Sequence, residues 1–237
     1  PMPDSLREAW RASGLFVLSV PAQELSRLRD RLELIGPEQR DWFGQSPTWS
    51  EAVRGRLIEA GTAMRVADGV LIAPEGRLRV LMRCWTVPGA PRSDGGASAA
   101  LHLELAAQLE RRDATQALLE MPAMRSELEA GVVFPRLTGT MQLTRGHALV
   151  IVPVGPGFGA DPSSGIGPPE PAVPTLGEAM LTSLQPNATT PARRRAIVAL
   201  LPRLPARFEV TTGSAGESHL ASGAPLPMGT AWDAFHR

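Results

Sequence analysis

The side chains able to do chemistry are few, and their types are uneven. All 24 basic residues are arginine, lysine and tyrosine are absent, and Asn187 is the single asparagine. There is one cysteine, Cys84, and there are four histidines, His102, His147, His219 and His236. Without lysine there is no Walker A loop, no Schiff base and no Ser-Lys pair. One cysteine excludes an internal disulfide and a multi-cysteine zinc site. No spacing among the histidines matches a metal site and no cofactor motif occurs, so neither metal nor cofactor is expected. The 24 basic residues balance 24 acidic ones. Zero formal charge lacks the basic footprint of a nucleic-acid binder.

His102 is the most interesting candidate. If 98–112 is read as a helix, His102 falls on its apolar face between Ala106 and Leu109. There it is either a core histidine satisfied by a carbonyl or a pocket base. Glu104, at i+2 on such a helix, points elsewhere. Cys84 shares the apolar face of a strand, which favours packing over nucleophilic chemistry. Arg92, Asp94, Gly95, Gly96 and Ser98 lie between a predicted strand and a predicted helix. Free N–H groups at such a helix start attract anions, with Arg83 and Arg92 assisting; the plain alternative is a loop and cap. The stretch is similar to the glycine/serine stretch of amidases, whose triad needs the lysine this chain lacks. Ser214, Glu217 and His219 crowd one loop, but a triad converges from separate elements and no GxSxG elbow is present.

Arginine and tryptophan together suggest contact with a protein. Arg77, Arg79, Arg83 and Trp85 alternate along one face of a predicted strand, a pairing enriched at interfaces. Trp42, Phe43 and Trp49 cluster around Pro47, as core or as a contact patch. Arg193, Arg194 and Arg195 read as a solvated helix start or an acidic partner's patch.

The elements that position these residues follow from periodicity. Asp4 caps a helix over 5–12, and Leu15 to Val20 reads as a buried strand. Leu25, Leu28, Leu32 and Ile35 form a helical stripe ended by Gly36-Pro37. Trp49, Val53 and Leu57 suggest a helix over 48–60. Residues 69–73 and 77–87 read as a hairpin about Pro74-Glu75-Gly76. Leu78, Val80, Met82 and Cys84 share its inner face. Helices are expected over 98–112 and 114–130, kinked at Pro122. A second hairpin joins 138–144 to 147–154 through Arg145-Gly146, its last strand apolar on both faces and so central in a sheet. Eleven of the twenty residues 155–174 are Gly or Pro, against 46 of 237 overall, which marks a loop, linker or lid. Helices over 176–184 and 191–201, a strand over 207–212 and a short helix carrying Trp232 and Phe235 complete the chain.

The expected fold is therefore mixed α+β or α/β. Two β-hairpins and an N-terminal buried strand pack with several amphipathic helices, and matching element order in the halves suggests internal duplication. The expected organisation is a body over 1–154, the 155–174 loop, and a helix-strand-helix segment over 175–237 on the same body. No 18-residue apolar run occurs, so no membrane span is expected. The N-terminus lacks an apolar h-region, so no secretory signal is expected. The arginine-rich, lysine-free composition matches a GC-rich bacterial coding sequence, and the lone cysteine fits the cytoplasm. These readings favour an accessory, chaperone-like or assembly protein that binds another protein or its own copies. The alternative is a small-molecule enzyme with the 94–98 turn and His102 in one pocket. His102 in a cavity beside Arg83 or Arg92 would favour the enzyme; Trp85 on an open sheet face would favour interaction.

Overall fold

The computed structural model describes residues 2–32, 38–111, 127–155, 173–184 and 193–208. Strand makes up 56% of these residues and helix 18%, so the chain is mainly β and the expected mixed fold is corrected. Long antiparallel strands replace several expected helices.

One sheet has the order β2-β5-β6-β7, built from Ser46–Ile58, Gly76–Pro91, Ala97–Arg111 and Gly131–Thr144. A second has the order β1-β8-β11, from Leu15–Pro21, His147–Pro153 and Val198–Leu200. Two-stranded ribbons pair β3, Thr62–Val66, with β4, Gly69–Ala73, and β9, Thr182–Leu184, with β10, Arg193–Arg195. The described α-helices are α1, Asp4–Ala12, α2, Ala22–Arg31, and α3, Leu176–Leu181; a 3-10 turn spans Glu127–Glu129.

The largest correction is β6. Its composition, rich in Ala, Leu, Glu and Gln, favours helix locally. Yet Leu101, Leu103, Leu105, Ala107 and Leu109 recur at every second residue and pack in one apolar cluster. Ladders to β5 and β7 on both sides override the local preference. The expected helix over 48–60 is β2, whose ladder to β5 has three irregularities. From Ser46 to Ser50 it uses four steps against two on β5, between Cys84 and Met82. Such bulges insert residues into a period of two and mimic helical spacing. Within 191–201, the described residues form β10 and β11 rather than a helix. The expected duplication loses its basis, because its repeating helices at 48–60 and 98–112 are strands.

Both expected hairpins are also corrected. β4 pairs with β3, while β5 is occupied on its two edges by β2 and β6. β7 and β8 are consecutive but belong to different sheets, so Arg145-Gly146 turns a corner between layers. β8 is central, as its two apolar faces predict, with Ala148, Leu149, Val150 and Ile151 all buried.

The inner faces of both sheets share one core. Leu78, Val80, Met82 and Cys84 of β5 meet Leu15, Val17, Leu149 and Ile151, with Trp10 of α1 and Leu176, Met180 and Leu181 of α3. A backbone junction ties these layers. Gly14, at φ +79°, ends α1; its carbonyl accepts from Val154 N at 2.8 Å, and Ser13 O accepts from Gly177 N at 2.9 Å. Thr175 caps α3 in a capping box with Glu178 and donates its hydroxyl to Val154 O at 3.2 Å. Among the described residues no helix is long and apolar enough to cross a membrane.

Candidate functional site: the outer face of the four-stranded sheet

The face of β5 and β6 that points away from the core carries the polar side chains. Register places Arg83 opposite Glu104 and Trp85 opposite His102. On a strand, residues i and i+2 share a face. His102 and Glu104 are therefore neighbours, which the helical reading denied. Arg83 Nε donates to Glu104 Oε2 at 2.6 Å, and His102 Nε2 lies 3.2 Å from Glu104 Oε1. The His102 ring stacks on Trp85 at 4.4 Å between centroids, tilted 30°.

The irregularity in β2 adds a third strand to the cluster. Residues 47–49 have no partners on β5, and Trp49 sits over the Arg83 guanidinium at 5.1 Å from ring centroid to Cζ. Trp85 flanks the same guanidinium at 5.7 Å. Arg83 thus lies within cation–π reach of two indoles. On the far side, β7 places Thr140 opposite Glu104 and Gln142 opposite His102, both exposed. The side chains of Arg83, His102 and Glu104 are 37%, 24% and 15% exposed, so the cluster is only partly open to solvent, and Arg79, Leu81, Ala106 and Gln108 further along the same face are buried.

Burial pushes the Glu104 carboxyl up, but hydrogen bonds and charge from Arg83 and His102 outweigh it and hold the group below its ordinary value of 4.5. A carboxyl lowered in the folded state favours folding above its ordinary value, and that contribution fades as pH falls through the lowered one. Glu104→Gln is therefore expected to lower the melting temperature at pH 7 and to lose this effect as pH falls below 4.5. Thermal melts of both proteins across that range check the sign. A deficit that grows on acidification contradicts it.

Ser50 donates its hydroxyl to Met82 O at 3.2 Å, and Cys84 is buried on the opposite face with Sγ 3.8 Å from Gly44 O. Among the described residues no three His, Cys, Asp or Glu side chains are grouped to hold a metal ion.

The four residues of the expected interaction strand separate. Arg83 and Trp85 join the cluster, and Arg77 is half-buried opposite Glu110. Arg79 is 2% exposed, so its expected surface position is corrected. Its Nε donates to Gln108 Oε1 at 2.7 Å, and its Nη1 lies 3.2, 2.8 and 3.5 Å from Glu110, Glu127 and Glu51. Nη2 and the Gln108 amide both donate to Glu127 O, so this group pins the 3-10 turn to the sheet.

Residues 92–96 form the turn of the β5–β6 hairpin and Ser98 lies in β6, so the expected helix start there is corrected. Its amides are engaged: Gly95 N donates to Arg92 O at 3.2 Å and Gly96 N to Asp94 Oδ1 at 3.3 Å. Arg92 and Arg207 both pair with Asp94, and Ser98 donates to Ala90 O. His102 is five residues from Ala97, roughly 17 Å along an extended strand. The turn and the histidine do not share a pocket.

Phe43 packs on the core, whereas Trp42 is 69% exposed beneath Arg203 at 4.8 Å. His147 shares a 3.0 Å hydrogen bond with Thr144 beside the corner turn. Arg194 and Arg195 are exposed on β10. Ser214, Glu217, His219, Trp232, Phe235 and His236 lie outside the described residues, as does most of 155–174. Periodicity missed Trp49 and Glu104. The signal for the second was present in Leu101-His102-Leu103-Glu104-Leu105, which alternates strictly. Comparison with known proteins finds no matching family model, no matching curated protein and no matching solved structure.

Proposed function

We propose that this chain is a protein-recognition or assembly subunit whose contact surface is the outer face of the four-stranded sheet at Trp49, Arg83, Trp85, His102 and Gln142. The observation that carries this reading is the stack Trp49–Arg83–Trp85–His102, spanning three strands and half-exposed. Tryptophan and arginine dominate binding energy at interfaces because they bring large, rigid contact area with a few directed hydrogen bonds. The pocket alternative is weakened, because the Arg92, Gly95 and Gly96 amides are engaged within their own turn.

The test compares proteins captured by the wild-type chain with those captured by an Arg83→Glu, Trp85→Ala double variant. Far-UV circular dichroism and a thermal melt establish that the variant is folded. A partner retained by the wild type and lost by the folded variant is expected. Identical capture by both contradicts the reading.

A further inference from the structure

We propose that the partner engages this face through an aspartate or glutamate carboxylate seated on the free end of the Arg83 guanidinium, between Trp49 and Trp85. This rests on the sheet face being a recognition surface and names the chemistry it recognises. Arg83 uses its Nε on Glu104, and among the described residues Nη1 and Nη2 have no hydrogen-bond partner. Those two N–H edges form a planar fork that matches the two oxygens of one carboxylate. The fork is already oriented: Glu104 fixes one side, and the two indoles fix the plane. A ligand therefore meets a guanidinium whose rotamer freedom is already restricted, which lowers the ordering cost of binding.

Charge supports a carboxylate over a phosphate. The cluster holds one permanent cation, Arg83, and one anion, Glu104, with His102 adding charge only when protonated. A monoanion gains a bidentate contact with modest repulsion from Glu104. A phosphate near two negative charges meets more repulsion with the same single guanidinium. Thr140 and Gln142, exposed on β7 beside this pair, extend the polar rim on which the rest of an acidic segment can hydrogen-bond.

The probe is an acetylated, amidated leucyl-glutamyl-leucine peptide, with its glutamine counterpart and inorganic phosphate as comparisons. The readout is the indole N–H resonances of Trp49 and Trp85 in the full chain, assigned from Trp49→Phe and Trp85→Phe. The glutamyl peptide is expected to shift both resonances in a saturable, salt-sensitive way. The glutamine peptide and phosphate are expected to shift them at least tenfold more weakly. Arg83→Lys, which keeps the charge and loses the fork, is expected to cost a similar factor. Equal shifts with the glutamine peptide or phosphate, an unchanged response in Arg83→Lys, or no shift with the glutamyl peptide up to its solubility limit each overturn the proposal. The peptide comparison on the wild type needs no variant to fold. If it fails while the double variant still loses its partner, the recognition surface stands and the carboxylate falls.

Discussion

Arg79→Met is expected to lose about 3 kcal/mol of stability, within the range of about 3–5 kcal/mol for breaking a buried charge group. The reason is what the guanidinium leaves behind. Glu51, Glu110 and Glu127 converge on Arg79 Nη1, and Gln108 Oε1 takes its Nε. Methionine fills the volume of the stem but leaves three carboxylates facing one another. They are 20%, 30% and 50% exposed, so water recovers part of the loss, which places the estimate at the lower end. Arg54 pairs with Glu51 and acts on Glu110 through charge alone, both from the exposed side. In a domain of this size the change corresponds to a melting temperature lower by about 6–12 °C. Arg79→Lys is expected to recover part of it, because a single ammonium cannot reach Gln108, the carboxylates and Glu127 O together. Urea unfolding of the three proteins checks this. A loss under about 1 kcal/mol for Arg79→Met would show that the group contributes no more than a surface pair.

Gly14→Ala is expected to cost about 2–5 kcal/mol. Two causes add: a left-handed backbone costs a side-chain-bearing residue about 1–2 kcal/mol, and overpacking adds about 1–3 kcal/mol. At φ +79°, a Cβ on Gly14 would overlap the Thr175 side chain that caps α3. Neither neighbour can yield cheaply, since Thr175 is bonded to Val154 O and to Glu178, and Gly14 O holds Val154 N. Gly61→Ala separates the causes. Gly61 has φ +84° with nothing within 4 Å of an added Cβ, so it reports the backbone cost alone. Equal losses at both positions would show that the close approach at the junction contributes nothing.

The legible part of the fold was the part decided by local pattern. β1 and β8 follow from two apolar runs and the two faces of β5 from strict alternation; α1 and α3 lie where helices are expected, but Pro3 rather than Asp4 is the N-cap of α1, and 182–184 is strand rather than the end of a helix. The misread part was decided by non-local pairing. β6 has the composition of a helix, and only the ladders on both its edges make it a strand. β2 hides its period behind bulges, one of which brings Trp49 over Arg83. β4 stands next to β5 in sequence yet pairs with β3, because both edges of β5 are occupied. The candidate site suffered from the same error. Arg83, Trp85 and His102 are legible from residue type and alternation, whereas Glu104 points away from His102 on a helix and towards it on a strand. Arg79 shares their alternation, and nothing in its local sequence distinguishes it. Its burial depends on the 3-10 turn at Glu127, 48 residues away.

The half-exposed face around His102 is proposed as the surface where a partner docks. Photo-crosslinking tests it most directly, with a benzophenone residue at Gln142, opposite His102, and at Ile72, which is 62% exposed on the separate β3–β4 ribbon. The account predicts one defined crosslinked species from Gln142, abolished by Arg83→Glu and absent from Ile72. A crosslink from Ile72 alone, or one from Gln142 that survives Arg83→Glu unchanged, would contradict it.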